Sequence, residues 1–548
     1  MKVHLSKSRS QFAMTLVFIA IAFWGAYHVV NVVKIGSLQE YIYTNWVFLF
    51  SFIMLVIAIT LAYREKPYKT PAVADNYFVT AVVPAYNEDP ELLQDCLRSL
   101  VVQSRQLQEI FVIDDGSNAV NYDDVKTWFE SFVSGYDIKM HWIRRDNGGK
   151  RQAQATAFVI ADKTDIFLTV DSDSVLDFNA LEELLKPFAD KEVQSVAGVV
   201  LARNNQTTLL ARITDILFVT GQLTDRSMMS SLGSVLVNSG GLAAYRANII
   251  RDNLQVYLNE SFFGRHIEFS DDSMLTLFAL NQGKTVQQPT AFVFTMMPDK
   301  LSHHIRQQIR WMRGSFIRSW WRLKYLPVKS FGFMRQAIGW SQFVMTSVLL
   351  TLLFIIKPNF SEDSIFFIIF ISIMIGYAQA LRYFSIKRSD ETFASQLLTY
   401  ALTPLAVMWS YTVLRPIRIY ATLTCFHSGW GTRKTVEVEL RDIYANISLR
   451  NRILQYSRSG FYVETYYEYL GRSMQSSKLT YDEAILFWTE HYYSLPVRKR
   501  LSLWKDYRKV CSRRIKSDNA SAVVRNFVLK LRPKPAVIRI TDTAFTFN

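Results

Sequence analysis

Apolar residues are concentrated in two parts of the chain rather than spread along it. They form long runs near the start and between about residues 335 and 425, whereas the block from about 75 to 300 alternates short apolar runs with polar stretches. An apolar run of about 20 residues is typical of a membrane-spanning helix, and the alternating block is typical of a water-soluble domain. The pattern therefore predicts a soluble domain inserted between membrane segments.

Four of the apolar runs have the length of a membrane span, at residues 12–33, 46–63, 338–356 and 365–381. Lys and Arg follow the second and fourth runs and precede the first, and loops rich in these residues stay in the cytosol. We therefore predict an integral plasma-membrane protein whose soluble block is cytosolic. A fifth run, 393–425, contains Pro404 and Pro416, which break a helix. Since a basic tail follows this run, we expect it to be re-entrant or interfacial.

The soluble block alternates β-branched apolar runs with helical patterns. Continuous apolar strands of this kind are typical of a parallel sheet covered on both faces, and such sheets bind ligands at the carboxyl ends of their strands. The predicted fold class is α/β, with a mostly parallel sheet. The predicted strands cover residues 78–84, 110–113, 166–170 and 193–201, and a helix is predicted at 90–103.

Polar motifs follow the first two strands. The first strand ends in PAYNED and the second in DDGS. Carboxylates such as Glu88 and Asp114 suit hydrogen bonds from a base or a ribose, and Tyr86 can pack on a ring; alternatively, the Asp and Ser residues only cap helices. In the NGGKR sequence at 147–151, the cation Lys150 beside two glycines suits a diphosphate, or the segment is a surface loop before a helix.

Two further motifs contain paired acids. Asp171 and Asp173 follow an apolar strand, and residues i and i+2 of an extended chain face the same side. Two carboxylates aimed in one direction favour a divalent cation, Mg²⁺ or Mn²⁺. Asp271 and Asp272 precede an apolar helix, where one acid suits a general base and the other stabilises the helix N-terminus.

The chain has a formal charge of +15. Nucleic-acid binding is one explanation of such a charge, but Lys and Arg beside membrane segments and anionic lipids explain it better. Residues 303–313 form a predicted basic amphipathic helix of the kind that lies on a membrane surface. Three cysteines, at 96, 425 and 511, do not have the spacing of disulfides or of a metal site. We expect contact with a lipid bilayer and no nucleic-acid partner.

Taken in order, these motifs resemble a known signature. Asp114, the DSD triplet at 171–173, Asp272 and the QQIRW run at 307–311 resemble the D, DxD, (G/S/T)-x-D and QxxRW motifs of processive family 2 glycosyltransferases. The WGTR sequence at 430–433 is similar to the gating loop of hyaluronan synthases, which the chain resembles most. The resemblance covers roughly residues 75–435 and implies a GT-A type cytosolic domain.

The resemblance also implies a role for each matching residue in an inverting transfer from UDP-sugars to a growing polysaccharide. Asp272 would be the general base, and Asp173 would bind Mg²⁺ or Mn²⁺. Ser239, Gly240 and Trp311 would contact the acceptor. The UDP-sugar would be bound by Tyr86, Glu88, Asp114, Lys150, Asp171, Gln307, Arg310, Trp311, Trp430, Thr432 and Arg433.

These assignments predict a domain organisation in which membrane helices enclose the catalytic domain. The predicted segments are two transmembrane helices (1–70), the glycosyltransferase domain (71–300), amphipathic interface helices (301–330), transmembrane helices with the proline-broken segment (331–428), the gating loop (429–435) and a basic cytosolic C-terminal region (436–548).

Three positions depart from the hyaluronan synthase pattern. Ser270 stands where many members have Gly, the NSGGL sequence at 238–242 lacks a Cys and a Pro, and the MRG sequence at 312–314 differs from what usually follows the Trp. Hyaluronan, made from UDP-glucuronate and UDP-N-acetylglucosamine, is the expected product. A glucose–glucuronate, chitin-like or cellulose-like polymer is an alternative, as is a non-processive transferase acting on a lipid phosphate. A non-enzymatic membrane scaffold would predict broken acidic motifs, and none is broken.

Overall fold

The computed structural model describes residues 4–5, 17, 20, 38–69, 77–351, 362–388, 391 and 393–427. The chain divides into two compact units, Met1–Asn446 and Ile447–Asn548, and all the described residues belong to the first. Most of the predicted span at 12–33, the predicted gating loop and the predicted C-terminal region lie outside the described residues.

Eight strands form the central sheet. In chain order they are β1 Val79–Ala85, β2 Glu109–Asp114, β3 Lys139–Arg144, β4 Ile166–Thr169, β5 Val175–Leu176, β6 Val193–Ala202, β7 Ala243–Arg246 and β8 Lys284–Thr295.

The strand order in this sheet is β3–β2–β1–β4–β7–β6–β8–β5. Strands β3, β2, β1 and β4 run parallel to one another, as do β6 and β8. The short strand β7 is antiparallel to both β4 and β6 and joins the two parallel groups, while β5 is antiparallel to β8. The predicted α/β class with a mostly parallel sheet is confirmed.

Sixteen α-helices are described. They are α1 Leu38–Arg64, α2 Pro90–Val101, α3 Asp123–Val133, α4 Lys150–Ile160, α5 Ala180–Leu185, α6 Leu209–Gly221, α7 Ser227–Ser231, α8 Ala247–Arg251, α9 Leu254–Leu258, α10 Asp271–Gln282, α11 Leu301–Tyr325, α12 Phe331–Thr351, α13 Glu362–Ala380, α14 Phe393–Ala401, α15 Thr403–Trp409 and α16 Arg415–Leu423.

Both faces of the sheet are buried, which explains the continuous apolar runs. Ala81 and Val83 of β1 belong to one apolar cluster with Leu97 of α2, whereas Val82 belongs to a second cluster with Phe158 of α4. The period of two along a strand places these neighbours on opposite faces. The four predicted strands and the predicted helix agree with β1, β2, β4, β6 and α2 to within two residues at either end.

Helix α11 covers the predicted amphipathic segment and links the sheet to the helices that follow. It exposes Leu301, Trp320 and Tyr325 and packs against α10, α12 and α16. Its buried residues include Gly314 and Arg318. The helix therefore brings a polar, partly buried face against the sheet domain.

No single helix in the described ranges has both the length and the apolar composition of a membrane span. One bent pair meets those criteria together, α14 with the segment Thr403–Leu423, at an angle of 43°. Pro404 and Pro416 stand in the first turns of α15 and α16, as expected of prolines that divide a helical run. The predicted spans at 46–63, 338–356 and 365–381 fall largely on α1, α12 and α13, and their insertion in a membrane stays a prediction.

Candidate active site

A cavity of about 470 Å³ lies at the carboxyl ends of the central strands. This is the position that parallel α/β sheets use for ligands. The structure brings together most of the residues predicted to form a site. The predicted residues that line the cavity are Tyr86, Glu88, Lys150, Asp171, Asp173, Ser239, Gly240, Asp272, Gln307, Arg310 and Trp311.

Asp114, the last residue of β2, does not line this cavity. Its carboxylate accepts a backbone N–H at 2.9 Å and lies 3.6 Å from Nε of Arg144. The next residue, Asp115, does line the cavity and accepts the N–H groups of Gly148 and Gly149 at 3.1 and 2.7 Å. Asp115 was not predicted as a site residue, although it belongs to the same DDGS motif. It holds the glycine loop against the end of β2.

Asn87 joins the loops that follow β1 and β2. Its backbone is left-handed, with φ 46°, and its Oδ1 accepts the N–H groups of Asn118 and Ala119 at 3.0 and 2.9 Å. The hydroxyl of Ser172 donates to Glu88 at 2.9 Å, which ties the loop after β4 to the same assembly. Three strand ends are thus connected, and Glu88 is held at the cavity wall.

Lys150, the first residue of α4, is paired with two carboxylates. Its Nζ lies 2.6 Å from Oδ1 of Asp171 and 3.1 Å from Oδ2 of Asp271. Burial alone would lower the pKa of Lys150, but the two carboxylates outweigh burial and raise it, so the ammonium keeps its charge. A Cβ at Gly240 would lie 3.2 Å from Nζ of Lys150 and 3.3 Å from Oδ1 of Asp171. The glycine therefore leaves room for a ligand beside this pair.

Asp171 and Asp173 face the same cavity, as their spacing predicts. The hydroxyl of Thr295 donates to Oδ1 of Asp173 at 3.2 Å. Burial raises the pKa of the Cys96 thiol, and the negative charges of Asp173 and Asp171 raise it further. Within the described ranges, no three His, Cys, Asp or Glu side chains are grouped as ligands of one metal. A hard cation would suit the two carboxylates and would take its other ligands from water or a phosphate group, as Mg²⁺ does.

Asp271 and Asp272 begin α10, and their surroundings separate their pKa values. Burial raises the pKa of Asp271, but the nearby Lys150 reverses this and the net shift is downward. For Asp272, burial and the charge of Asp271 raise the pKa to about 6. A carboxylate that titrates near pH 6 and faces a cavity is suited to accept a proton near neutral pH. The local sequence pattern did not separate the two acids, whereas the family resemblance implies that Asp272 is the base; its raised pKa and its place in the cavity lining keep it a candidate for that role.

Ser270 precedes α10 in a left-handed conformation, with φ 58° and ψ 49°. This conformation disfavours residues that carry a Cβ. Ser270 packs against Gly314 of α11, where an added Cβ would lie only 1.7 Å from Oγ of Ser270. Two positions at which the sequence departs from the hyaluronan synthase pattern are therefore in contact. A small residue at 314 makes room for a larger one at 270.

Gln307, Arg310 and Trp311 line the cavity from α11. The ring of Trp311 is 37% exposed and lies 5.5 Å from that of Phe218, centroid to centroid. The buried Oε1 of Gln307 has no hydrogen-bond partner in the part of the chain that the structure describes. A buried polar atom of this kind is suited to a ligand donor. The predicted loop residues Trp430, Thr432 and Arg433 lie outside the described residues.

Arg226 also lines the cavity, although no local sequence pattern marks it. It ends a π-helical turn, Gln222–Arg226, and such turns are frequent at functional sites. Its guanidinium donates to Oγ of Ser239 at 2.5 Å and to the carbonyl of Gly198 at 3.3 Å; no carboxylate among the described residues is within ion-pair distance. Burial lowers its pKa to about 10, so it remains a cation at neutral pH.

Comparison with known proteins identifies relatives of this chain, and the matched family model covers the strand-end part of the site. The model of glycosyl transferase family 2 matches residues 80–254. The hyaluronan synthase of Streptococcus pyogenes is 35% identical over 391 residues, which cover 70% of this chain and 89% of that protein. An N-acetylglucosaminyltransferase of Rhizobium meliloti (strain 1021) is 32% identical over 267 residues, 48% of this chain and 62% of that protein.

Among solved structures, the mannosyltransferase PcManGT from Pyrobaculum calidifontis, in complex with GDP-Man and Mn²⁺, matches with a TM-score of 0.46. The match has 17% sequence identity and covers 72% of this chain and 98% of that one.

The contact between Ser270 and Gly314 generates a prediction about stability. Gly314→Ala introduces a Cβ into occupied space, and overpacking of this kind costs about 1–3 kcal/mol. We expect a melting temperature several degrees lower, measured on the detergent-solubilised protein. Ser270→Gly removes the obstructing hydroxyl and the left-handed strain, so the double variant is expected to regain most of the loss.

The matched control is Gly221→Ala, a helical glycine at which a Cβ would meet nothing within 4 Å. This control is expected to keep or slightly raise the melting temperature, because Ala is a better helix former than Gly. Strictly additive effects of Gly314→Ala and Ser270→Gly would contradict a direct steric contact between the two positions.

Proposed function

The chain belongs to glycosyltransferase family 2, and we propose that it is a processive, inverting synthase that polymerises UDP-sugars on the cytosolic side of a membrane, with hyaluronan as its product. One observation carries the proposal: a single cavity is lined by the strand-end acids, the candidate base and the QxxRW residues of α11. The similarity to a hyaluronan synthase over 89% of that protein's length supports it.

The donor occupies the strand-end side of the cavity in this proposal. Tyr86, Glu88 and the neighbouring Asp114 serve the uridine, and Lys150 faces the diphosphate. Asp171 and Asp173 have the hard oxygen atoms to hold Mg²⁺ or Mn²⁺, which when bound with the diphosphate would stabilise the charge of the departing UDP. The gating loop at 430–433 would close over the nucleotide.

The transfer is a single in-line displacement. The acceptor hydroxyl gives its proton to Asp272 as its oxygen forms a bond to the anomeric carbon of the donor sugar. The bond from that carbon to the UDP oxygen breaks, UDP leaves with the electron pair, and the configuration inverts. The acceptor chain is positioned by Ser239, Gly240 and Trp311. Its terminal sugar and the departing UDP are stabilised by Gln307 and Arg310.

One cation in the cavity wall, Arg226, favours a sugar that carries a carboxylate. Arg226 lines the cavity beside Ser239 and is hydrogen-bonded to neutral oxygens only. A buried guanidinium without an ion-pair partner is well matched to a carboxylate, which accepts two parallel hydrogen bonds from it. Glucuronate has such a group, whereas glucose and N-acetylglucosamine do not.

A second cavity of about 480 Å³ adjoins the first and shares Val237 and Ser315 with it. A third, of about 530 Å³, shares Arg415 and Arg418 with the second. Arg322 and Arg335 also line the second cavity. An arginine-rich lining attracts a polyanion, so these cavities support an anionic polymer over a cellulose-like or chitin-like one. We propose that the product leaves along them through the protein's own helices, which would lie in the plasma membrane.

The first experiment supplies the purified protein with Mg²⁺ or Mn²⁺ and UDP-sugars, singly and in pairs. We expect UDP release and a long polymer only when UDP-glucuronate and UDP-N-acetylglucosamine are present together, with a product that hyaluronidase digests. The readouts are released UDP and polymer size on a gel. A polymer formed from one sugar alone would overturn hyaluronan, and short products only would favour a non-processive transferase.

A second prediction concerns pH. The base must be ionised to accept the acceptor proton, and the pKa of Asp272 is raised to about 6. We therefore expect kcat/KM to be constant near neutral pH and to fall as the pH decreases through about 6. Asp272→Asn is expected to reduce kcat by about 10²- to 10⁴-fold. The remaining activity of this variant is expected to lose the fall of kcat/KM at low pH.

The control for this pH experiment is Asp123→Asn, which changes an exposed acid in the first turn of α3. This variant is expected to keep both kcat and the fall of kcat/KM at low pH. If kcat/KM of Asp272→Asn still falls at low pH, the group that titrates is not Asp272.

A third prediction separates the two donors. Arg226→Gln removes the cation beside Ser239, and the next residue, Gly240, lies against the proposed donor residues Lys150 and Asp171. Because this position is within reach of the donor sugar, we expect KM for UDP-glucuronate to rise about tenfold or more, the value of a charged hydrogen bond, while KM for UDP-N-acetylglucosamine changes by less than about threefold. Arg246→Gln is the control, because Arg246 also donates to backbone carbonyls but lies outside the cavity. Equal effects on both donors would contradict a carboxylate site at Arg226.

A further inference from the structure

Glu260 lies outside the cavity lining but at the centre of a buried charge cluster. It is 5% exposed, and the two arginines beside it, Arg151 and Arg318, are 4% and 0% exposed. Oε2 of Glu260 lies 2.7 Å from Nη1 of Arg151 and 2.6 Å from Nη2 of Arg318. Arg318 also donates to Oε1, and the indole N–H of Trp321 donates to the same oxygen at 2.8 Å.

Both arginines also hold the backbone that leads to the candidate base. Arg151 donates to the carbonyl of Phe269 at 2.7 Å, and Arg318 donates to the same carbonyl at 3.3 Å. Arg318 makes a further contact, at 3.4 Å, with the carbonyl of Ser270. The carboxylate of Glu260 thus orients two guanidinium groups that grip the two residues before Asp271.

The backbone that the two arginines hold, at Phe269 and Ser270, includes a strained residue. Ser270 is left-handed, which costs about 1–2 kcal/mol for a residue with a Cβ, and its side chain makes no capping hydrogen bond to α10. The conformation therefore persists because neighbouring groups hold it. Its backbone direction decides where Asp272 points at the start of α10.

The cluster also connects the two halves of the site. Arg151 is the second residue of α4, directly after Lys150, and Arg318 lies on α11, the helix of Gln307 and Arg310. Burial would raise the pKa of Glu260, but the two arginines lower it, so the carboxylate is ionised and the bridge is intact at neutral pH.

We propose that Glu260 is a positioning residue for the transfer reaction: by bridging Arg151 and Arg318 it holds the Phe269–Ser270 backbone so that Asp272 faces the acceptor hydroxyl. This inference rests on the proposed function, and it assigns Glu260 a role in the chemical step rather than in donor binding. A displacement of about 1 Å at a reacting group costs about 10²-fold in rate.

The test compares two replacements of Glu260 in the full-length, detergent-solubilised protein. Glu260→Met keeps the length of the side chain but accepts no hydrogen bond; we expect kcat to fall about 10- to 100-fold, while KM for each UDP-sugar and the Kd for UDP change by less than about threefold. Glu260→Gln keeps one acceptor oxygen but loses the charge that balances two buried arginines, so kcat is expected to fall by a clearly smaller factor than in Glu260→Met. Rescue by the isosteric amide separates hydrogen-bonded positioning from simple loss of packing.

The control is Glu109→Met. Glu109 is also buried and paired, with Oε1 3.4 Å from Nζ of Lys139, but it lies at the amino end of β2, away from the cavity. It is expected to keep kcat. If Glu260→Met does not fold, the comparison uses Trp321→Phe, which removes one donor to Glu260 and is expected to lower kcat by a smaller factor, again without weakening UDP binding.

Unchanged kcat in both Glu260→Met and Trp321→Phe would overturn the inference, as would a parallel loss of kcat and UDP binding. Absence of any transfer by the unchanged protein would overturn the proposed function, and the inference with it.

Discussion

The cavity depends on a balance of charges around one lysine. Lys150 lies within 3.1 Å of carboxylates from two separate segments, Asp171 after β4 and Asp271 at the start of α10. A buried ammonium without such partners tends to lose its proton, and buried carboxylates tend to gain one. The pairing keeps Lys150 and Asp271 ionised and ties the end of β4 to the first turns of α4 and α10 around one space. Asp272 lies next to this balanced set, and burial and the charge of Asp271 raise its pKa to about 6.

A second cluster reverses this arrangement, with one carboxylate between two cations. Glu260 pairs with Arg151 and Arg318, and Arg151 follows Lys150 directly in the chain. The first turn of α4 therefore contributes to both clusters, one facing the cavity and one behind it. Because the two clusters share a helix and bracket residues 269–271, a change in either charge balance is expected to reach the candidate base. This coupling explains how residues far apart in sequence meet with the accuracy that the proposed proton transfer requires.

Sequence reasoning succeeded where a local pattern carried the information. The apolar runs predicted β1, β2, β4 and β6, and the spacing of Asp171 and Asp173 predicted that both would face one cavity. It missed features made by distant segments. Strand β7 has only four residues and owes its place to pairing with β4 and β6. Arg226 and Glu260 were missed for the same reason, because the contacts that give them their place beside the site, with Ser239 and with Arg151, join residues at least 13 positions apart in the chain.

The contact of Ser270 with Gly314 changes how departures from the hyaluronan synthase pattern are counted. Read along the chain, Ser270 and the MRG sequence at 312–314 are two separate differences. In the structure a Cβ at Gly314 would collide with the hydroxyl of Ser270, so the pair is one steric adjustment between α10 and α11, and it preserves the approach of the helix to the base. It therefore says little about which sugars are used. The difference that does bear on sugar identity is the NSGGL sequence at 238–242, because Ser239 and Gly240 line the cavity beside Arg226, Lys150 and Asp171.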